Sequence, residues 1–171
     1  MEKKSKHIMY GFVTGIVMGI TGLIIYLSGV AFKPGMEYVP YIPFLVGIIL
    51  NGTNFSKINN GFVTFGNVFG NCFKAAMIVT LVMVAWSLLH MVIFPGMKEQ
   101  ALQAARDQMM KKQNMTDEQI DMAIDITKKY WNVFLIGGAI FGNLIFGLIF
   151  SLIGGAIAKK NGPQPFVPGN V

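Results

Sequence analysis

The sequence predicts an all-α polytopic membrane protein with four transmembrane helices and an extramembrane helical hairpin between spans three and four. Of its 171 residues, 53% are hydrophobic and 13% are charged, whereas about a quarter of the residues in a soluble domain are charged. The apolar residues form long uninterrupted runs, which are typical of helices that cross a bilayer. Most acidic residues fall between residues 97 and 130, so this stretch is expected outside the membrane. We therefore predict a single membrane domain with the hairpin inserted in it.

The formal net charge of +6 does not predict nucleic-acid binding, because the lysines cluster at the ends of the apolar runs. Lysines in these positions suit anionic headgroups and the rules of membrane insertion. The single cysteine excludes an intrachain disulfide, and the two histidines lie far apart in sequence. No Cys/His cluster has the spacing of a metal site, and the sequence indicates no cofactor.

The first predicted span covers residues 8–32 and follows a lysine-rich N-terminus. This beginning resembles a signal peptide, but the apolar run of 25 residues exceeds the about 7–15 residues of a signal core, which favours a retained helix. Gly11, Gly15 and Gly19 recur every fourth residue and allow another helix to approach closely. We favour packing inside the same subunit over a dimer contact.

The second and third spans are predicted at residues 39–54 and 75–94. The second span is short, with an entry rich in proline and tyrosine that suits the headgroup level. Between the spans, residues 51–71 are rich in Asn, Gly, Ser and Thr and are predicted to lie in the membrane interface. Helical spacing continues into the third span through four phenylalanines, Phe62, Phe65, Phe69 and Phe73.

Residues 97–130 are predicted to form the extramembrane helical hairpin, which is neutral because six basic residues oppose six acidic ones. Gln113 and Asn114 interrupt its helical pattern, and Thr116 to Gln119 read as a capping box that starts the second helix. The positions expected to face one another across the hairpin are Leu102, Met109, Ile120, Ala123, Ile124 and Thr127.

The fourth span is predicted at residues 131–158, with a flexible tail at residues 161–171. Read as one rod with the second hairpin helix, residues 116–158 would be about 65 Å long, roughly twice the bilayer core. Small or polar residues recur every fourth position at Ala139, Asn143, Gly147, Ser151 and Gly155. We favour packing of this row against the glycines of the first span; a homo-oligomer contact or a polar lining is the alternative.

Four spans place both termini on one side of the membrane. The basic residues divide equally between the two sides, seven and seven. The weight that the insertion rule gives to the first helix favours cytoplasmic termini and an external hairpin.

Several motifs in order along the chain resemble the bacterial family catalogued as domain of unknown function 4199. They are the run from Phe65 to Lys74, Pro95 after the third span, the segment from Met115 to Ile120, and the closing run from Ser151 to Lys160. The resemblance covers about residues 7–160. It implies a four-span bacterial inner-membrane protein and supplies no activity, substrate or catalytic residue.

Three groups of residues are candidates for chemical sites. His90 in the third span suggests proton transfer, although a histidine near the interface can also reach headgroups. Cys72 and Lys74 suggest a nucleophile with a basic neighbour, but packing of the thiol is favoured because no base is apparent. Three aspartates, Asp117, Asp121 and Asp125, form an acidic stripe whose straight geometry favours a solvated face over a cation site.

The sequence therefore favours a non-enzymatic accessory or scaffold subunit of a bacterial envelope complex. Its expected partners are the lipid bilayer and, through residues 97–130, an envelope protein or a second copy of the chain. The length of this insertion motivates the prediction, because connections between bundled helices usually have about 2–8 residues. The alternative is a small-solute transporter or channel component with a polar path through His90, Asn143 and Ser151.

Overall fold

The computed structural model describes residues 4–111 and 115–161. This part of the chain is all-α, as predicted, and contains no strand. A short 3-10 helix, Met36–Tyr38, precedes the second α-helix. The six α-helices are α1 His7–Leu27, α2 Tyr41–Ile58, α3 Phe65–Ile93, α4 Met97–Lys111, α5 Asp117–Lys129 and α6 Trp131–Ile157.

Helices α1, α2, α3 and α6 pack into a bundle in which α3 contacts both α1 and α6. Helix α2 packs against all three of the others. Gly11, Gly15 and Gly19 of α1 meet successively later residues of α3, so these two helices run parallel. Gly147 and Gly155 of α6 meet successively earlier residues of α3, so α6 runs antiparallel to it. Helices α4 and α5 pack on each other, and α5 also contacts α6.

Within the described residues, three helices are long and apolar enough to cross a membrane: α1, α3 and α6, with 21, 29 and 27 residues. Four such helices were predicted. The second predicted span, residues 39–54, corresponds to α2, which is not among the three because its second half carries polar residues. Asn51 and Ser56 on that half are buried inside the bundle.

Helix boundaries differ most from the predicted spans at two places. Helix α1 ends at Leu27 rather than Phe32, since the chain turns at Gly29 with a φ of +72°, a left-handed conformation that glycine adopts without steric cost. Helix α3 begins ten residues before Ala75, because Thr64 and Asn67 form a capping box. The segment predicted to lie separately in the interface is thus divided between the end of α2 and the first turns of α3.

Residues 116–158 do not form one rod. Tyr130, with φ −105° and ψ 23°, ends α5 and precedes α6. Its N–H still donates to the Ile126 carbonyl, and its own carbonyl accepts from the Phe134 N–H, both at 3.0 Å. The two helices are therefore joined at a single non-helical residue.

Three predictions fall wholly or partly outside the described residues. They concern the turn at Gln113 and Asn114, the tail at residues 161–171 beyond Asn161, and the charge of Lys3 at the N-terminus.

Candidate functional site

The glycine row of α1 lies directly on α3. A Cβ added at Gly11 would come within 2.6 Å of the Ala75 carbonyl oxygen, and one at Gly15 within 2.8 Å of Val82 Cβ. At Gly19 the added atom would lie 2.9 Å from the Trp86 ring. Distances this short require the absence of a side chain, so the row functions in packing between helices of one subunit.

The small-residue row of α6 also packs inside the subunit, but opposite a different helix from the one expected. A Cβ at Gly147 would lie 2.7 Å from Ala76 Cβ, and one at Gly155 would lie 3.0 Å from the Phe65 ring, both on α3. Gly154 meets Cys72 of α3 and Ile48 of α2. Helix α3 thus separates this row from the glycines of α1. The expected pairing of the two small-residue rows is wrong because each row packs on larger side chains of α3.

Asn143 and Ser151 are buried at 3% and 0% exposure. The Ser151 hydroxyl donates to the Gly147 carbonyl of its own helix at 2.6 Å. Asn143 Oδ1 has no hydrogen-bond partner within the described part of the chain. A cavity borders His90, and neither Asn143 nor Ser151 lines it. This cavity therefore does not bring together the three residues proposed for a polar path.

His90 lies among aromatic rings near the hairpin end of α3. Its ring centroid is 5.0 Å from that of Tyr26 and 4.8 Å from that of Phe94. The Nε2 atom is buried and has no hydrogen-bond partner among the described residues. The His90 residue lines a cavity of about 260 Å³. This arrangement places an unpaired polar atom in an aromatic and apolar environment.

Cys72 and Lys74 do not form a reactive pair. Cys72 is fully buried and its thiol lies 3.5 Å from the Ile48 carbonyl oxygen, whereas Lys74 is exposed. The thiol occupies the space left by Gly52 and Gly154. Cys72 therefore fills the contact between α2, α3 and α6.

The acidic stripe of α5 has one partner across the hairpin, since Asp121 forms an ion pair with Arg106 of α4. Asp117 and Asp125 are exposed. Among the residues that the structure describes, no group of three or more His, Cys, Asp or Glu side chains could hold a metal ion. The acidic stripe thus contributes one contact inside the hairpin, through Asp121, and an exposed surface.

Sequence reasoning missed a polar network at the end of the bundle where residues 4–6 and 159–161 lie. Asn51 Nδ2 donates to the Asn71 carbonyl at 3.2 Å, and the Ser5 hydroxyl donates to Asn71 Oδ1. The Ser56 hydroxyl donates to the Lys159 carbonyl. These bonds connect the N-terminus, α2, α3 and the end of α6. The high number of asparagines between residues 51 and 71 was the feature of the sequence that could have indicated this network.

The hairpin helices bury Leu102 of α4 and Ile120 of α5 between them. Helix α5 also has a second apolar surface, which sequence reasoning missed. We call this surface the α5 stripe; it consists of Met115, just before the helix, with Met122, Ile126 and Tyr130. Their exposure is 40%, 63%, 48% and 47%. Recurrence of Met122, Ile126 and Tyr130 at every fourth residue was the signal, since none of them is among the predicted facing positions.

The family model described as Protein of unknown function (DUF4199) matches residues 9–160. No curated protein and no solved structure matches the chain. The match runs from the first turn of α1, through the hairpin sequence, to the end of α6. The chain therefore belongs to the DUF4199 family of proteins of unknown function.

Proposed function

We propose that this protein is a non-enzymatic accessory or scaffold subunit of the bacterial inner membrane, whose hairpin binds a second membrane protein of an envelope complex. The observation that carries the proposal is the α5 stripe. One apolar face of α5 is already occupied by α4, yet a second apolar face is left exposed within the described part of the chain. An exposed cluster of large apolar side chains commonly marks an interaction site.

The composition of the α5 stripe supports a protein partner. Methionine and tyrosine are enriched at protein interfaces, and the flexible methionine side chain adapts to a facing surface. The hairpin is neutral, so recognition is expected to depend on apolar contact rather than on long-range attraction. Contact between the hairpin and the bundle is small: Gln108 of α4 donates to the Phe32 carbonyl at 3.3 Å, and α5 contacts α6.

The membrane arrangement included in the proposal has four spans, with α2 as the second. At about 1.5 Å per residue its 18 residues extend about 27 Å, close to the about 30 Å of a bilayer core. Packing against α1, α3 and α6 surrounds its polar second half with protein. In this arrangement the hairpin lies outside the membrane between spans three and four, opposite the termini. The lysines near the N-terminus favour cytoplasmic termini.

Site-specific photo-crosslinking in bacterial cells tests the partner. A benzophenone amino acid at Met122 or Ile126 is expected to give a discrete adduct with another protein, whereas one at Asp117 is expected to give none. Adducts with lipid alone at both stripe positions would contradict the proposal. An adduct of the chain with itself would also contradict it, by identifying a second copy as the occupant.

A charge-matched pair of variants then tests whether the stripe supplies the affinity. Met122→Glu combined with Ile126→Glu is expected to abolish co-purification of the crosslinked partner, since charges would be buried at an apolar contact. Lys128→Glu changes the hairpin charge by the same amount outside the stripe and is expected to retain the partner. If both variants retain the partner equally, the α5 stripe does not supply the affinity.

A further inference from the structure

The cavity beside His90 is lined by the three helices that are apolar enough to span the membrane. Tyr26 of α1, His90 of α3 and Leu135 of α6 all line it. The connection between α1 and α2 contributes Phe32, and the first residue of α4, Met97, completes the wall. The cavity therefore lies between these helices near the hairpin and is partly open to the outside.

The wall of this cavity is almost entirely apolar and carries no charged side chain. Its polar side chains are Tyr26, Ser87 and His90. The Ser87 hydroxyl already donates to the Met83 carbonyl at 2.8 Å. No protein group satisfies His90 Nε2 among the described residues. An uncharged wall selects a neutral ligand, because a buried charge without a partner is strongly unfavourable.

We propose that this cavity binds a neutral amphiphile from the membrane, with an apolar ring or chain in the cavity and a carbonyl or hydroxyl group hydrogen-bonded to His90. A mostly apolar pocket with a few polar groups is the usual form of a small-molecule site in a helical bundle. The volume of about 260 Å³ accommodates a ring headgroup or part of one chain. This chemistry is shared by lipid-soluble quinones and by the ester region of a glycerolipid. The inference does not depend on the hairpin having a partner.

Trp86 provides a direct reporter, because it lines the cavity and its ring packs over Gly19. Trp131→Phe leaves Trp86 as the only tryptophan of the chain. The full chain with this substitution, in lipid nanodiscs, is titrated separately with decyl-benzoquinone and with a brominated phosphatidylcholine. Saturable quenching of Trp86 by either probe supports the proposal and identifies its source. The proposal is overturned if quenching by both probes rises linearly with probe concentration and does not saturate, as expected for probes that only partition into the lipid.

Filling the cavity supplies the matched control. No atom lies within 4 Å of a Cβ at Gly22, which lines the cavity, or at Gly138, which does not. Gly22→Leu is expected to raise the dissociation constant of the probe by about tenfold or more, because the leucine side chain would occupy the cavity. A tenfold change corresponds to about 1.4 kcal/mol. Gly138→Leu is expected to leave the dissociation constant unchanged. Ala31→Leu fills the same cavity from the α1–α2 connection if Gly22→Leu does not fold.

The hydrogen bond to His90 has its own test. His90→Phe keeps an aromatic ring but removes both ring nitrogens, and is expected to weaken quinone binding by about 3- to 10-fold, the range for one hydrogen bond. Ser87→Ala is expected to have little effect, since that hydroxyl is already bonded within α3. Unchanged affinity in the His90 variant, with binding retained, would overturn the proposed hydrogen bond. Equal losses in the His90 and Ser87 variants would also overturn it.

Discussion

Gly11 determines how closely α1 approaches the first half of α3. A Cβ there would meet a backbone carbonyl oxygen, which cannot rotate away as a side chain can. Gly11→Ala is therefore expected to lower the free energy of unfolding by about 1–3 kcal/mol, the usual cost of overpacking. Denaturant titration of the protein in mild detergent measures this change.

Gly22→Ala is the matched substitution in the same helix. Because its Cβ enters open space, the better helix propensity of alanine is expected to change stability favourably, by up to about 1 kcal/mol. Equal destabilisation by the two alanine substitutions would mean that close contact with α3 is not what requires the glycine.

Replacing Asn143 tests whether its row of α6 packs inside one subunit or forms a contact between two copies of the chain. Its side-chain oxygen is buried without a partner within the described part of one subunit. Asn143→Leu is therefore expected to leave the free energy of unfolding unchanged or raise it, because a polar group without a bond is replaced by an apolar one. A loss of about 1–2 kcal/mol, together with a smaller particle in size-exclusion chromatography, would instead indicate a hydrogen bond between two copies.

At the scale of single helices, the capping box of α5 was predicted residue by residue and is confirmed. The Gln119 N–H donates to Thr116 Oγ1 at 3.3 Å, and the Thr116 N–H donates to the Gln119 side chain at 3.0 Å. Such local features are readable because the interacting residues are three apart in sequence. The sequence leaves open whether the helix continues through Tyr130, since the neighbouring residues are all compatible with a helix.

Thr116→Ala is expected to destabilise the first turn of α5 by about 1 kcal/mol, because an orphan backbone N–H loses its acceptor. Amide hydrogen exchange at residues 118–120 is expected to become about fivefold faster, the factor that corresponds to this energy. Thr127→Ala is the control, since the Thr127 hydroxyl only donates to the Ala123 carbonyl inside the helix. Faster exchange at residues 118–120 in the control would show that the box is not the cause.

Which helices pack together could not be predicted from small-residue spacing. A row of glycines shows that some helix approaches closely, but the row does not identify that helix. Here both rows meet α3, whose contacting residues include Ala75, Ala76 and Val82 and contain no glycine row. Likewise, the polar residues at the end of α2 suggested exposure to headgroups. They are buried because Asn71 and the Lys159 carbonyl, far away in sequence, supply their partners.

At the scale of the whole molecule, hydrogen bonds fix both ends of the described chain, Lys4 and Asn161, to the connection between α2 and α3. Asn59 Nδ2 donates to the Lys4 carbonyl at 3.0 Å, and the Asn161 N–H donates to the Gly61 carbonyl at 2.6 Å. The hydrophobic runs predicted a membrane bundle, and its three most apolar helices are confirmed. The terminal network had no counterpart in periodicity, since it joins segments that are up to 103 residues apart.

Cysteine labelling tests the proposed orientation. A membrane-impermeant maleimide added to intact spheroplasts is expected to label Glu118→Cys, whereas Lys4→Cys and Lys159→Cys are labelled only after lysis. The native Cys72 is buried and supplies an internal control, because it is expected to react only after unfolding. Labelling of all three introduced cysteines from one side would exclude a hairpin opposite the termini.

The hairpin is attached to the bundle at two places, and neither attachment is a continuous helix. Residues 94–96 separate α3 from α4, and Tyr130 separates α5 from α6. Two fixed points define a line, so a rigid hairpin that keeps both attachments and releases the Gln108–Phe32 hydrogen bond has one axis about which it can swing. A partner that pulls on the α5 stripe exerts a torque about this axis. Met97, the first residue of α4, lies beside one end of the axis and in the wall of the cavity, so such a swing would turn the backbone at that wall.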